Sequence, residues 1–240
     1  MKSVIVSEDI SNECERELCR LGFEVLKLPR AKALGGSAVG SHPDSLIFHH
    51  ESTLITSCDY CDEAAYIFSD ARERHPEITV RFSEHGLGER FPEDCGYNAK
   101  AFSGRLFGRL DSLSPAILRY AEETGLEPIR TKQGYPACVT LFLGENRVIT
   151  GDEGLAKIYD KCKLRVTKIT NRGISLPPHE YGFIGGASGV FKNTVYFFGD
   201  ISAHPDADVI LEAIADAGYA AHSLSREPLR DLGGMIFLGE

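Results

Sequence analysis

A chain of 240 residues with 42% hydrophobic and 25% charged side chains has the make-up of a soluble globular protein and is long enough to bury a large core without disulfides or metals. Its formal net charge of -9 argues against a nucleic-acid backbone or an anionic membrane as partner, since both call for a basic surface, and leaves a small cationic ligand open. No apolar run approaches the roughly 18 residues of a membrane span, the start of the chain lacks a secretory pattern, and seven cysteines, an odd number in a chain that is not small, suit the thiols of a reducing compartment, so the cytoplasm is the expected location.

The elements follow in chain order. Val4–Val6 predicts a strand without a neighbour of its own. It runs into an amphipathic helix over Asp9–Leu21, with Ser11 as a cap and Gly22 as a stop, and then into a strand over Phe23–Leu28. An extended pair, Asp44–Phe48 and Thr53–Thr56, precedes a helix over Asp62–Arg74 and a strand over Ile78–Phe82. The same order returns three times more. Asn98–Phe102 and Leu106–Phe107 lead to a helix over Ser114–Thr124 and a strand over Glu127–Thr131. Cys138–Leu143 and Arg147–Thr150, around a Gly144-Glu145-Asn146 turn, lead to Glu153–Cys162 and Leu164–Ile169. Ser188–Phe191 and Val195–Phe198 lead to Pro205–Ala217 and Ala220–Leu224, with Asp200 to Asp208 marking the helix start. The last stretch, Gly233–Leu238, has no return strand, and Val4–Val6 supplies one.

The hairpin starts Asp44, Asn98, Cys138, Ser188 and Gly234 are equivalent, recurring at roughly 40 to 54 residues as repeat units do. Glycines and prolines stand before them: His42-Pro43, Gly96-Tyr97, Tyr135-Pro136-Ala137, Gly185-Gly186-Ala187 and Leu232-Gly233. Such residues suit backbones that crowd together. The expectation is a single α/β domain over residues 1–240: five similar modules in a closed ring, a five-module α/β propeller, with its first and last strands paired so that no edge is left exposed. An open α/β sheet with alternating elements is the alternative.

Five strand–strand–helix–strand modules in a ring resemble the pentein fold, that of the guanidino-group-modifying enzymes, which include arginine and agmatine deiminases and dimethylarginine hydrolases. The run Gly182–Gly189, with Gly199-Asp200 and Asp231-Leu232-Gly233-Gly234, resembles an uncharacterised bacterial family assigned to that fold. In the enzymes a Gly-Gly-acid segment, a His-x-Asp segment and a cysteine reach the central pore. His42-Pro43-Asp44 resembles the second and Gly134–Thr140 the cysteine segment. Gly185-Gly186-Ala187-Ser188 resembles the first without its acids, with Ile184 where a glutamate is expected.

The chemistry stands on the residue types as well. A cysteine thiolate attacks an electrophilic guanidinium carbon, and an imidazole protonates the leaving amine and activates water. Cys138 is the expected nucleophile and His42 the acid/base. Asp44 is the expected guanidinium anchor, sharing a strand face with His42, while Asn98 and Ser188 are placed as further substrate-binding residues. Each has a plainer role open to it: a core thiol for Cys138, a turn with backbone capping for His42-Pro43-Asp44, structural hydrogen bonding for Asn98, and close packing for the Gly-Gly pairs. Cys58-Asp59-Tyr60-Cys61 has the spacing of a redox or metal pair, but a structural zinc site wants four ligands, and no metal or cofactor is expected. His49 and His50 are adjacent on a strand and face opposite ways. Two functions fit: a cysteine-dependent hydrolase or amidinotransferase acting on a small guanidino compound of the arginine or agmatine type, or a catalytically inactive ring binding a small molecule or a protein partner.

Overall fold

The computed structural model describes residues 2–239. The first elements are β1 (Lys2–Ser7), α1 (Asn12–Arg20) and β2 (Phe23–Leu28). Next come α2 (Pro43–Leu46), β3 (Ile47–His50), β4 (Thr53–Ser57), α3 (Cys58–Glu63), α4 (Ala65–Arg74) and β5 (Thr79–Ser83). The middle of the chain holds β6 (Lys100–Phe102), β7 (Arg105–Gly108), α5 (Pro115–Thr124), β8 (Glu127–Arg130), α6 (Pro136–Val139), β9 (Thr140–Leu143), β10 (Arg147–Thr150), α7 (Glu153–Lys161) and β11 (Arg165–Lys168). The remainder is β12 (Ile174–Ser175), β13 (Ser188–Phe191), β14 (Thr194–Phe197), α8 (Ala207–Asp216), β15 (Ala220–Ser223), β16 (Leu229–Arg230) and β17 (Ile236–Leu238).

Five of the sheets share one plan. A middle strand pairs antiparallel with one neighbour and parallel with the other, and a helical segment bridges the parallel pair. The orders are β3-β4-β5, β6-β7-β8, β9-β10-β11, β13-β14-β15 and β17-β1-β2. In the last, Ser3 faces Leu238, Val4 faces Phe237 and Ile5 faces Ile236, so the two lone terminal segments of the sequence do pair. A sixth, two-stranded sheet joins β12 to β16, with Ile174 beside Leu229. It carries no periodic signal because each strand is two residues long.

Local chemistry explains the helix ends. Ser11 Oγ accepts from the Cys14 N–H at 3.2 Å, Ser114 Oγ from Ala116 at 3.3 Å, and Asp152 Oδ1 from Leu155 at 2.7 Å, satisfying amides that have no partner inside the helix. Gly125 ends α5 in the left-handed conformation at φ +70°, where a side chain would be strained. The helix expected over Asp62–Arg74 instead starts at Cys58, under a Ser57 cap, and breaks at Ala64 into α3 and α4. Each helix packs into a cluster that draws on its own sheet and on a neighbouring one, as Ile117, Tyr120 and Ala121 of α5 do with Leu106 of β7 and with Phe48 and Ile55 of β3 and β4.

Two expected strand starts are helical turns. The Leu46 N–H donates to His42 O at 3.2 Å and the Val139 N–H to Tyr135 O at 2.9 Å. Pro43 and Pro136 occupy the first helical positions, where the fixed proline φ fits and the missing N–H costs nothing. Strand alternation therefore does not direct His42, Asp44 or Cys138; two short proline-led turns do.

Candidate functional site

Four segments meet where those turns lie. The Asp44 N–H donates to Gly233 O at 3.1 Å, the Gly186 N–H to Cys138 O at 2.8 Å, and the Leu232 and Gly234 N–H groups to Gly186 O at 2.9 and 2.8 Å. The approach is too close for side chains. A Cβ at Gly185 would stand 2.6 Å from Cys138 O, and one at Gly186 would overlap the Asp231 carboxylate and lie 2.8 Å from the Cys138 sulfur. Gly233, at φ +76°, would press a Cβ into His42. The glycine pairs thus serve close packing.

That packing gathers a thiol, two carboxylates and an imidazole. The Cys138 sulfur donates to Asp231 Oδ2 at 3.3 Å, with Oδ1 at 3.7 Å. His42 Nδ1 lies 3.7 Å from the same Oδ1, too far for a hydrogen bond and buried without a partner, so sulfur and ring flank one carboxylate that only the sulfur contacts. Asp231 is fixed by the Phe183 N–H at 2.9 Å and the Gly233 N–H at 3.1 Å. Asp44 takes a hydrogen bond from Ser45 Oγ on Oδ1, while its Oδ2 is buried without a partner. Burial is nearly complete at Cys138 (6% exposed), His42 (1%) and Asp231 (1%).

Low dielectric and like charge set the protonation states. Burial, then the Asp231 charge, pushes the Asp44 carboxyl up to about 7. Burial, then Asp231 and Asp44, holds the Cys138 thiol well above its ordinary range. Burial pushes His42 down against the pull of Asp231, favouring neutral imidazole. The free site is thus short of positive charge. A cation placed beside Asp44 would reverse the first two shifts, favouring carboxylate and thiolate together.

A cleft of about 340 Å³ opens over this cluster. Asp44, Gly185, Gly233 and Gly234 line it, with Ser188, Ala137 and Thr140. Ile47, Phe142, Ile236 and Phe237 form apolar wall. His49 and Lys100 also line it, whereas His50 turns away to bond Tyr120 at 2.9 Å.

The expected site residues sort themselves accordingly. Cys138, His42 and Asp44 come together despite their sequence distance. Ser188 lines the cleft, its hydroxyl donating to Ile184 O at 2.7 Å. Asn98 is fully buried behind α6, where its Oδ1 accepts from the Ala137 N–H at 3.0 Å and steadies the turn that carries Cys138. Ile184 is core. Asp231 brings a buried carboxylate to this cluster that the sequence does not single out as a site residue, although its Asp-Leu-Gly-Gly context marks the segment. Among the described residues no group of three His, Cys, Asp or Glu is arranged to hold a metal ion, and no helix is long and apolar enough to cross a membrane.

Several solved structures match over nearly the whole chain, three of them as follows. DDAH from Pseudomonas aeruginosa, as a mutant complexed with citrulline, is 11% identical over 93% of this chain and 91% of its own, with a TM-score of 0.52. SxtG, an amidinotransferase from Microseira wollei in the saxitoxin biosynthetic pathway, is 11% identical over 93% and 88%, at 0.55. The N-terminal domain of ArgZ, a cyanobacterial arginine dihydrolase bound to product, is 12% identical over 95% and 90%, at 0.51. All have the pentein fold, and the chain shares it. No curated protein matches in sequence. The model of a family of unknown function, DUF6873, matches residues 5–236.

Proposed function

The chain belongs to the family of unknown function DUF6873, and from its site we propose that it is a cysteine-dependent hydrolase or amidinotransferase acting on a small guanidino compound. The reading takes the five like sheets as the modules of one pentein propeller, a single domain closed by β1 and β17, with the cleft at its centre. The observation that carries it is the gathering of Cys138 and His42 about Asp231 beneath a cleft that Asp44 lines, with one Asp44 carboxylate oxygen buried and without a partner.

Asp44 pairs with the guanidinium, in this reading, and the added positive charge lowers the Cys138 pKa. The thiol proton passes to Asp231 and on to neutral His42. The thiolate forms an S–C bond to the guanidinium carbon, and the departing amine takes the proton from His42 as its C–N bond breaks. Water, deprotonated by His42, then attacks the same carbon, and the S–C bond breaks to release a ureido product; an amine in place of water gives the transferase. Ser188 contacts the ligand from the cleft wall, and Asn98 positions Cys138 through α6. The test is incubation with arginine, agmatine and methylated arginines and assay for ureido product. Product that disappears in Cys138→Ala supports the nucleophile, whereas product unaffected by that substitution overturns it.

A ring that binds without turnover is the second reading. It is favoured by the shielding of the Cys138 sulfur, which does not line the cleft although Ala137 and Thr140 on either side do. Tight guanidine binding with no product, in the wild type and in Cys138→Ala alike, decides for it.

A further inference from the structure

We infer that the groove between α4 and β5 is the interface of a twofold-symmetric dimer, and that the partner it fits is a second copy of this chain. The groove shares no lining residue with the central cleft, so the inference is independent of the guanidino reading.

The groove exists because one module departs from the common plan. In four modules the helix packs on the outer strand of its own sheet: α1 on β2, α5 on β8, α7 on β11 and α8 on β15. In the remaining one the helix is broken at Ala64. Short α3 takes that place on β5, and α4 leans on β2 of the neighbouring sheet. A groove of about 560 Å³ is left between α4 and β5. Its strand wall is Ile78, Val80 and Phe82, alternate residues that share one face. A sheet face of this kind is normally buried against another element, yet Phe82 is 46% exposed.

The patch itself says what covers it. Phe82 stands out beside a helix wall that carries Ala65 and Ser69, both exposed and both small, so an aromatic knob and a hollow to receive one lie on a single surface. Arg72 and Glu73 are the charged side chains lining the groove, and both are exposed. Among the described residues neither side chain has an ion-pair or hydrogen-bond partner. A closed twofold contact requires one patch to complement itself. Here a twofold axis beside α4 brings Arg72 of each copy to Glu73 of the other and seats each Phe82 over the other copy's small residues. Buried aromatic anchors ringed by polar groups are the usual anatomy of such an interface.

The test is sedimentation equilibrium of the full chain, 26.3 kDa as a monomer, at concentrations up to about 200 μM, which spans the micromolar affinities of modest interfaces. The expected result is a reversible monomer–dimer equilibrium. Phe82→Ser weakens it at least about tenfold, as loss of an aromatic anchor does. Arg72→Glu and Glu73→Arg each abolish self-association, because like charges then meet across the axis. A 1:1 mixture of those two variants forms a heterodimer, and the double variant carrying both exchanges dimerises again. Thermal melting shows the variants folded; if Phe82→Ser is not, the two charge variants and their mixture decide. A chain that stays monomeric over the whole range, or a dimer whose constant neither charge exchange changes, overturns the proposal and leaves the guanidino reading standing.

Discussion

The Cys138 sulfur donates to Asp231 Oδ2 at 3.3 Å across 93 residues of chain. A thiol facing a carboxylate is held protonated, and the same carboxylate raises Asp44. Asp231→Asn removes the charge at nearly constant size. The Asp44 carboxyl, raised first by burial and then by Asp231, should then titrate lower than in the wild type, as followed by carbon-13 NMR of the Asp side chains. Asp231→Ala also strips the partners from the buried Gly233 N–H and the part-buried Phe183 N–H, at a cost of about 1–3 kcal/mol for a buried group left unpaired. An unchanged urea midpoint in Asp231→Ala would contradict that account.

The raised Asp44 pKa links stability to pH with a definite sign. An acid whose pKa is about 7 when folded and 3.8 when unfolded binds more protons folded than unfolded between those values, so stability falls as pH rises through that window. Its contribution is present below about 4 and lost by about 7. The lowered His42 pKa acts oppositely, since stability is lost as pH falls and the unfolded imidazole is protonated. The comparison therefore needs a variant. Asp44→Asn should gain on the wild type by about 2–4 kcal/mol between pH 4 and 7, measured by urea unfolding across pH. A constant difference over that range would show that Asp44 keeps an ordinary pKa.

Gly186→Ala should separate the thiol from its carboxylate, because the added carbon occupies the space of both. Overpacking of this kind costs about 1–3 kcal/mol. Ureido production should fall by far more than the fraction of protein unfolded, as measured by circular dichroism on the same sample. A fully active, equally stable variant would mean that the two groups need not touch.

Deleting residues 236–239 removes β17 and bares one edge of β1. The lost burial of Ile236 and Leu238 alone amounts to roughly 3–6 kcal/mol by the usual value for large apolar side chains, and an unpaired edge invites association. Size-exclusion chromatography and thermal melting should show an aggregating or unfolded chain. A monomer melting like the full-length protein would show that the β1–β17 pairing contributes little.

Much of the module plan was legible because its signals are local and redundant. Ser114, Asp152 and Gly125 mark helix ends by their own hydrogen bonding or conformation, and the apolar runs of β9 and β10 flank a glycine turn. Pairing of Val4–Val6 with the last strand followed from two fragments that each lacked what the other has. The turns at Pro43–Leu46 and Pro136–Val139 were hidden because apolar residues run on into the following strands, and one helical turn is too short to show a period. Cys138, His42 and Asp44 were found by residue type and by equivalent position. Asp231 escaped because its segment resembles none of the three pore segments of the enzymes and its Gly233-Gly234 pair reads as close packing.

The crowding at Gly185, Gly186 and Gly233 has a further consequence. No contiguous stretch of chain contains the cluster: its thiol, imidazole and two carboxylates come from segments around positions 42, 138 and 231, packed on Gly185 and Gly186 and held by one another's backbones. Partial unfolding of any contributing sheet dissolves the whole cluster at once. The Cys138 thiol, shielded in the native state, thus becomes an intrinsic gauge of global opening: its rate of alkylation by a small reagent should track cooperative unfolding, while exposed Cys19 and Cys58 react regardless.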